Sequence, residues 1–213
     1  MGRIILDALD LGALLCSRVC HDVISPVGAI VNGLEVLADE KDESMRDFAQ
    51  DLIRKSAATA SARLQFARLA FGAAGSAGAM IDLGDAEQVA RGIFNDERTR
   101  LEWQAPRQLL PKNQVKLLLN LLVIAQSTIP RGGVVSVALS GEGDQLGMRL
   151  TAQGTAARIP PALPALLRGE SETDGIDSHS IQPYYAGLIA QAAGLQLHLD
   201  LAGDVVTLDA VRI

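Results

Sequence analysis

Two long stretches of helical apolar periodicity, separated by only a few charged residues, constrain this chain more than anything else in it. Over residues of about 8 to 38, Leu11, Leu14, Leu15, Arg18 or Val19, Asp22 or Val23, Val27, Ile30, Leu34 and Leu37 recur at spacings of three and four. A second stretch runs from about 43 to 73, marked by Met45, Phe48, Leu52, Ala60, Leu64, Ala67 and Phe71. Between them lies Asp39-Glu40-Lys41-Asp42-Glu43, a charged turn in which Asp42 is placed to cap the second helix. Two helices joined this closely form an antiparallel hairpin. The run from Ser56 to Ala62 is all small residues, which permits close approach. A lone hairpin exposes a wide apolar face. Pairing with a second copy into a four-helix bundle buries it, which predicts a two-fold homodimer.

The first helix contains an irregularity. Pro26 removes a backbone hydrogen bond and bends the rod, and Gly28 and Gly33 lower the local propensity further. A chain that needed only a straight rod would not put a proline just over one turn after a histidine. Such breaks in local consistency mark functional sites. The surrounding heptapeptide, His21-Asp22-Val23-Ile24-Ser25-Pro26-Val27, resembles the H-box of the histidine kinases. That motif reads His, an acid, an apolar residue, any residue, Asn/Thr/Ser, Pro, an apolar residue. The resemblance implies that His21 takes a phosphoryl group on a ring nitrogen. Asp22 is either ordinary helix charge or, as the residue after the histidine, a holder of the imidazole's other N–H that fixes the tautomer. Ser25 is either a tolerated small residue or, as the resemblance implies, a residue that places water for dephosphorylation. Arg18, three residues before His21, shares its face. It is either an attractor of a phosphorylated partner or a plain solvated arginine. Val23 and Ile24, with Val27 and Leu14, are candidates for an apolar docking surface, some of them facing the bundle core instead.

Gly72-Ala73-Ala74-Gly75-Ser76-Ala77-Gly78 reads as a linker, and the chain divides there into residues 1–75 and 79–213. Beyond it the predicted order is a helix from Asp85 to about Asn95, a strand at Arg100–Trp103, and an apolar helix from Asn113 to about Thr128. There follow a hairpin of Val134–Leu139 and Leu146–Thr151 across Gly141-Glu142-Gly143-Asp144, and a helix over 181–193. A second hairpin of Leu195–Leu201 and Val205–Ala210 closes the chain. Helices alternating with antiparallel hairpins predict a two-layer α/β sandwich. The fold class is therefore α+β, a helical hairpin followed by the sandwich.

This order resembles the ATP-binding domain that follows the H-box hairpin in histidine kinases. Gln114 to Ala125, with Asn120, resembles the N-box, and Pro130-Arg131-Gly132-Gly133 the glycine turn after it. Three departures all remove nucleotide contacts. Ile124 stands where the family's second N-box Asn holds magnesium, and an aliphatic side chain offers no oxygen to a hard cation. Ala152 stands where the adenine-reading Asp belongs. Near Tyr185-Ala186-Gly187-Leu188 only one glycine of the phosphate loop is present. An H-box hairpin joined to such a decayed domain is similar to the dimeric histidine phosphotransferases of alphaproteobacterial cell-cycle phosphorelays, the ChpT family. The resemblance implies transfer from the receiver domain of a hybrid histidine kinase, through phospho-His21, to response regulators. It implies no cofactor of the chain's own, with Mg2+ supplied by the receiver. The alternatives left open are an active but divergent histidine kinase and a non-catalytic dimeric scaffold.

The remaining features exclude more than they assign. Only 3% of residues are aromatic against 48% hydrophobic, so the core is aliphatic. A net charge of −6 makes nucleic acid a poor default partner. Asp7 and Asp10 interrupt the first apolar stretch, which argues against a signal peptide. A cytoplasmic protein without membrane attachment is expected. Cys16 and Cys20 lack the spacing and the number of ligands of a zinc site and read as small buried residues. His179, in a polar loop, and His198, in a strand, read as structural or solvent-facing, and Trp103 as core.

Overall fold

The computed structural model describes residues 2–3, 5–72, 78–94, 98–141, 146–171 and 175–212. Most of the linker read from the sequence (73–77), the glycine turn at 142–145 and residues 95–97, where the helix read from Asp85 was expected to end, lie outside the described residues.

A two-residue strand β1 (Gly2–Arg3) precedes helix α1 (Ala8–Asp39) and helix α2 (Glu43–Ala70). The carboxylate of Asp7 caps α1 by accepting from the N–H groups of Leu9 and Asp10, both at 2.8 Å. Asp42 caps α2, accepting from Met45 N–H at 3.0 Å. These caps satisfy donors that a helix start leaves orphaned, and they fix where each rod begins. The two helices pack closely where side chains are smallest. A Cβ on Gly33 would lie 2.7 Å from Ile53 Cγ1 and 3.3 Å from the Ala49 carbonyl. Ala49, Ser56 and Ala60 are buried on the facing side.

The apolar stripe of each helix divides in two. Leu11, Leu14, Leu15, Val19, Val23, Ile30 and Leu37 are half-buried on the side of α1 that carries buried Pro26 and Gly33. Val27 and Leu34 do not join them. With Leu9, Ala13, Cys16, Cys20, Ile24 and Val31 they form a second, exposed stripe at spacings of three and four. On α2, Met45, Phe48 and Leu64 are likewise exposed, while Ala60 is buried and Leu52, Ala67 and Phe71 are half-buried. Cys16 and Cys20, expected to be buried, are exposed. They line an apolar groove of about 430 Å³ with Leu15, Val19, Leu64 and Phe71, so the outer stripes of the two helices share one face. By length and composition α1 is also apolar enough to cross a membrane. Its exposed surface also carries Ser17, His21, Ser25, Asn32 and Glu35.

The second half contains β2 (Met80–Asp82), α3 (Leu83–Ile93), β3 (Thr99–Trp103), β4 (Leu109–Pro111), α4 (Lys112–Ser127), β5 (Gly133–Ser140) and β6 (Gly147–Gln153). It continues with α5 (Leu163–Leu167), β7 (Glu170–Ser171), α6 (Ile181–Ala192), β8 (Leu195–Ala202) and β9 (Val205–Arg212). Five strands form one sheet in the order β3-β5-β6-β9-β8, antiparallel except for the β3–β5 pair. The two expected hairpins are joined edge to edge through β6 and β9. Gly132 and Gly133 make the turn into β5 at φ 84° and 148°. Cβ atoms there would lie 2.2 Å and 2.0 Å from the carbonyls of Arg98 and Gln153.

The sheet alternates strictly. Val135, Val137, Met148, Leu150, Ala152, Val206, Leu208 and Ala210 point inward and are buried under α4 and α6. Arg149 points outward and pairs with Asp209 across the strands at 2.7 Å. Ala152 is thus a core residue of β6. Gly187 lies inside α6 rather than in a phosphate loop. A Cβ there would sit 2.1 Å from the Leu167 carbonyl, so this glycine lets α6 pack against α5. Trp103 is half-buried against the core, and His198 is exposed on the outer face of β8.

Phe66 and Ala70 of α2 join the core of the second half, and polar ties add to this packing. Strand β1 pairs with β7, Gly2 opposite Ser171. The Leu6 N–H donates to the Tyr184 hydroxyl at 3.4 Å. Asn120, fully buried on α4, donates through Nδ2 to the carbonyls of Ala70 at 3.2 Å and Lys116 at 2.9 Å, and its Oδ1 lies 3.5 Å from Gln182 Nε2 on α6. The N-box asparagine therefore fastens the end of α2 to two helices of the sheet layer.

Candidate functional site

Helix α1 presents His21 to solvent, with 58% of its side chain exposed, on the turn that runs into Pro26. The proline determines the local chemistry. It has no N–H, so the carbonyl four residues earlier, that of Asp22, loses its helical donor. Arg63 of α2 replaces that donor, its Nη1 donating to the Asp22 carbonyl oxygen. The backbone beside His21 is therefore completed from the other helix of the hairpin. Arg63→Ala should lower stability by about 1 kcal/mol, the ordinary worth of one such bond. Urea unfolding of the two proteins checks this, and an unchanged midpoint would mean that water serves the carbonyl equally well.

Asp22 is not engaged as a holder of the imidazole's N–H. Its Oδ2 accepts from Arg18 Nε at 2.9 Å, one turn back. Its Oδ1 lies 3.9 Å from His21 Nδ1, beyond hydrogen-bond range. Arg18 is no freely solvated cation either. Its side chain is only 18% exposed, and it reaches under α1 toward Val123, Gln126 and Gln182. Ser25 is exposed and has no hydrogen bond among the described residues. Ile24 is 71% exposed, three residues from His21, whereas Val23 is half-buried on the packed side with Val19 and Ile30. His21, Ser25 and Ile24 thus share the open surface, while Arg18 and Asp22 form a paired base beneath it.

His179 also reaches this surface. Its ring stands edge-on to that of His21, centroids 4.8 Å apart and planes at 79°. The loop that carries it is held by Asp177, whose carboxylate accepts from the N–H groups of His179 at 3.0 Å and Ser180 at 2.7 Å and from the Ser180 hydroxyl at 2.6 Å. The Ser180 hydroxyl and N–H, with the neighbouring imidazole, hold the Asp177 carboxyl below its ordinary pKa. A histidine 158 positions away in the sequence leaves no local signal, which is why it reads there as plain loop. Arg63 leaves one. Reflecting residue 22 through the 39–43 turn falls within one helical turn of 63, where a long donor is needed to serve the carbonyl that Pro26 strands.

Next to this surface is a cavity of about 380 Å³ where α4, α5 and the start of α6 meet. Val123, Ile124, Pro160, Ala162, Leu163 and Leu166 make it largely apolar, and no carboxylate lines it among the described residues. Ile124, in the magnesium position of the N-box, faces into it. Among the described residues no group of three or more His, Cys, Asp or Glu is placed to hold a metal ion.

Known proteins resemble this chain over nearly its whole length. The family model described as histidine phosphotransferase C-terminal domain matches residues 83–205. Protein phosphotransferase ChpT of Brucella abortus (strain 2308) is 50% identical over 205 residues, covering 96% of this chain and 97% of that protein. A solved bacterial phosphotransferase structure superposes with a TM-score of 0.90 at 47% identity, covering 98% of each chain.

Proposed function

The chain belongs to the ChpT histidine phosphotransferases, and on that premise we propose that His21 is the residue that carries the phosphoryl group. The observation that carries this reading is the placing of one exposed imidazole on a proline-marked turn whose backbone is completed by Arg63. The donor is an aspartyl phosphate on the receiver domain of a hybrid histidine kinase, and the acceptors are the receivers of response regulators.

An unprotonated nitrogen of His21 attacks the phosphorus in line. The P–N bond forms as the P–O bond to the receiver's aspartate breaks, and the electron pair leaves on that carboxylate. The proton on the other ring nitrogen stays with the ring. Acyl phosphate and phosphohistidine are both high-energy species, so the exchange is reversible and needs little from this chain beyond presentation. Ile24 and the exposed turn around it supply an apolar contact for the receiver. Charge on the transferring group is met by magnesium that the receiver holds. Arg18 acts through Asp22, keeping that carboxylate off the imidazole nitrogen, rather than by touching the partner. Ser25 stands open to water, as a role in dephosphorylation requires.

The chain works without a nucleotide of its own, because Ile124 puts an aliphatic side chain where a magnesium ligand is needed and no carboxylate lines the adjoining cavity among the described residues. It acts as a homodimer in the cytoplasm, the exposed stripe of Val27, Val31 and Leu34 meeting a second copy.

Incubation with a radiolabelled phosphorylated receiver tests the reading. Label should pass to this chain and be lost in acid but kept in base, because protonating the ring breaks the P–N bond. Calorimetry with ATP and magnesium should show no saturable heat. Acid-stable label would place the carrier on a hydroxyl, and autophosphorylation from ATP alone would make the chain a kinase.

A further inference from the structure

We infer that His179 is the positioning residue of the reactive imidazole: its ring, carried by the sheet half of the protein, sets the orientation in which His21 meets an incoming phosphoryl group. This rests on the assignment of His21 in the preceding subsection.

An exposed imidazole on a helix has several rotamers and a two-fold choice of ring orientation. In-line attack uses one of them, so an unrestrained ring spends most encounters misaligned. Asp22, the candidate orienter read from the sequence, is 3.9 Å away and committed to Arg18. The described residues give His21 one ring neighbour, His179, at 4.8 Å and 79°. Edge-to-face contact at this separation is a favoured aromatic arrangement. It limits the rotation of the ring while leaving its outer edge open to a partner.

His179 is itself held. Asp177 fixes the backbone at residues 179 and 180, and the Asp177 carbonyl accepts from Ile181 N–H at 3.0 Å, so the loop is built onto the start of α6. Asn120 and Gln182 then link α6 to α4 and to the end of α2. The backbone that carries the ring is thus fixed to the frame of α6, α4 and α2. The charged groups nearest the pair are Arg18 and Asp22 on α1, Arg63 on α2 and Asp177 in the loop. The first two are paired with each other, Arg63 donates to the Asp22 carbonyl, and Asp177 is capped by its own loop. Ring contact, rather than a charge at residue 179, is therefore the property that matters. It also gives the sheet half a task at the phosphoryl site after its nucleotide contacts are gone.

The test uses the full chain and a radiolabelled phosphorylated receiver, with His179→Ala, His179→Phe and His21→Ala. His179→Ala should slow transfer at saturating receiver by about tenfold, the order of loss that misplacing a reacting group produces, with the half-saturating receiver concentration unchanged. His179→Phe should restore most of the rate, since it keeps the ring and discards the nitrogens. Proton NMR supplies a readout that a merely structural role would not move. The ring signals of His21 should shift in the alanine variant as the ring current of residue 179 is lost, and return in the phenylalanine variant. A full transfer rate in His179→Ala, or a loss that phenylalanine leaves unrescued, overturns the role of His179. Label appearing on His21→Ala overturns instead the assignment on which it rests. Should His179→Ala fail to fold, the rate and spectrum of His179→Phe decide the matter alone.

Discussion

A chain carrying His21→Ala takes no label from a phosphorylated receiver, at any time of incubation, and keeps its helical content and thermal midpoint. Both halves of this expectation come from the same geometry. The side chain of His21 is more than half exposed, and its nearest ring contact is with another surface histidine. Trimming it leaves no cavity and strands no buried polar group, so the change in stability stays within about 0.5 kcal/mol, as for other surface sites. The loss of transfer is total because a covalent carrier has no partial substitute. The other nucleophiles on that surface are the His179 imidazole, which stands on the loop before α6 and not on the proline-marked turn, and the Ser25 hydroxyl, which no base in the described residues activates. His21→Gln should behave as alanine does, since it restores size and polarity without a nucleophilic nitrogen. Residual label in either variant, tested for acid stability, would locate the true carrier.

The second large effect concerns the face of α1 that carries no protein partner in the single chain. Val27, Val31 and Leu34 are 43%, 48% and 54% exposed and lie along one side of the helix. A contiguous apolar stripe of this length marks an interface. The native chain should therefore scatter light as a dimer at micromolar concentration, and Val31→Glu with Leu34→Glu should scatter as a monomer. Both substitutions enter the interface from both copies. Leaving one polar group unsatisfied in such a place costs about 1 to 3 kcal/mol, and about 1.4 kcal/mol is a factor of ten in association. The combined effect spans several powers of ten, enough to abolish dimers at any ordinary concentration. A native chain that is already monomeric would remove the four-helix bundle from this account.

Both predictions rest on elements that the sequence made legible to different degrees. The long helices, Ala8–Asp39 and Glu43–Ala70, follow from periodicity over many turns, and their starts are set by Asp7 and Asp42. The strands of both hairpins follow from alternation and glycine turns. The pairs β1–β7 and β2–β4 do not, because strands of two or three residues complete no period. The five-residue α5 is likewise too short to show one. Periodicity also cannot say what a face will meet, so one stripe per helix was legible where two exist. At the site, the H-box pattern singles out His21 and Pro26 but not the partners of either. Arg63 and His179 come from other elements, and their contribution appears only when the chain is folded. The pairing of Asp22 with Arg18 was hidden for another reason. Three side chains within five positions compete, and rotamer geometry rather than spacing decides which two meet.

The bond from Arg63 to the Asp22 carbonyl spans 41 positions in the chain. During synthesis the segment around His21 leaves the ribosome well before residue 63 does, and for that interval the carbonyl stranded by Pro26 has only water to serve it. The turn acquires its final shape when the second helix arrives and closes the hairpin. A nascent or truncated chain ending before α2 therefore holds the nucleophile without the backbone that shapes it.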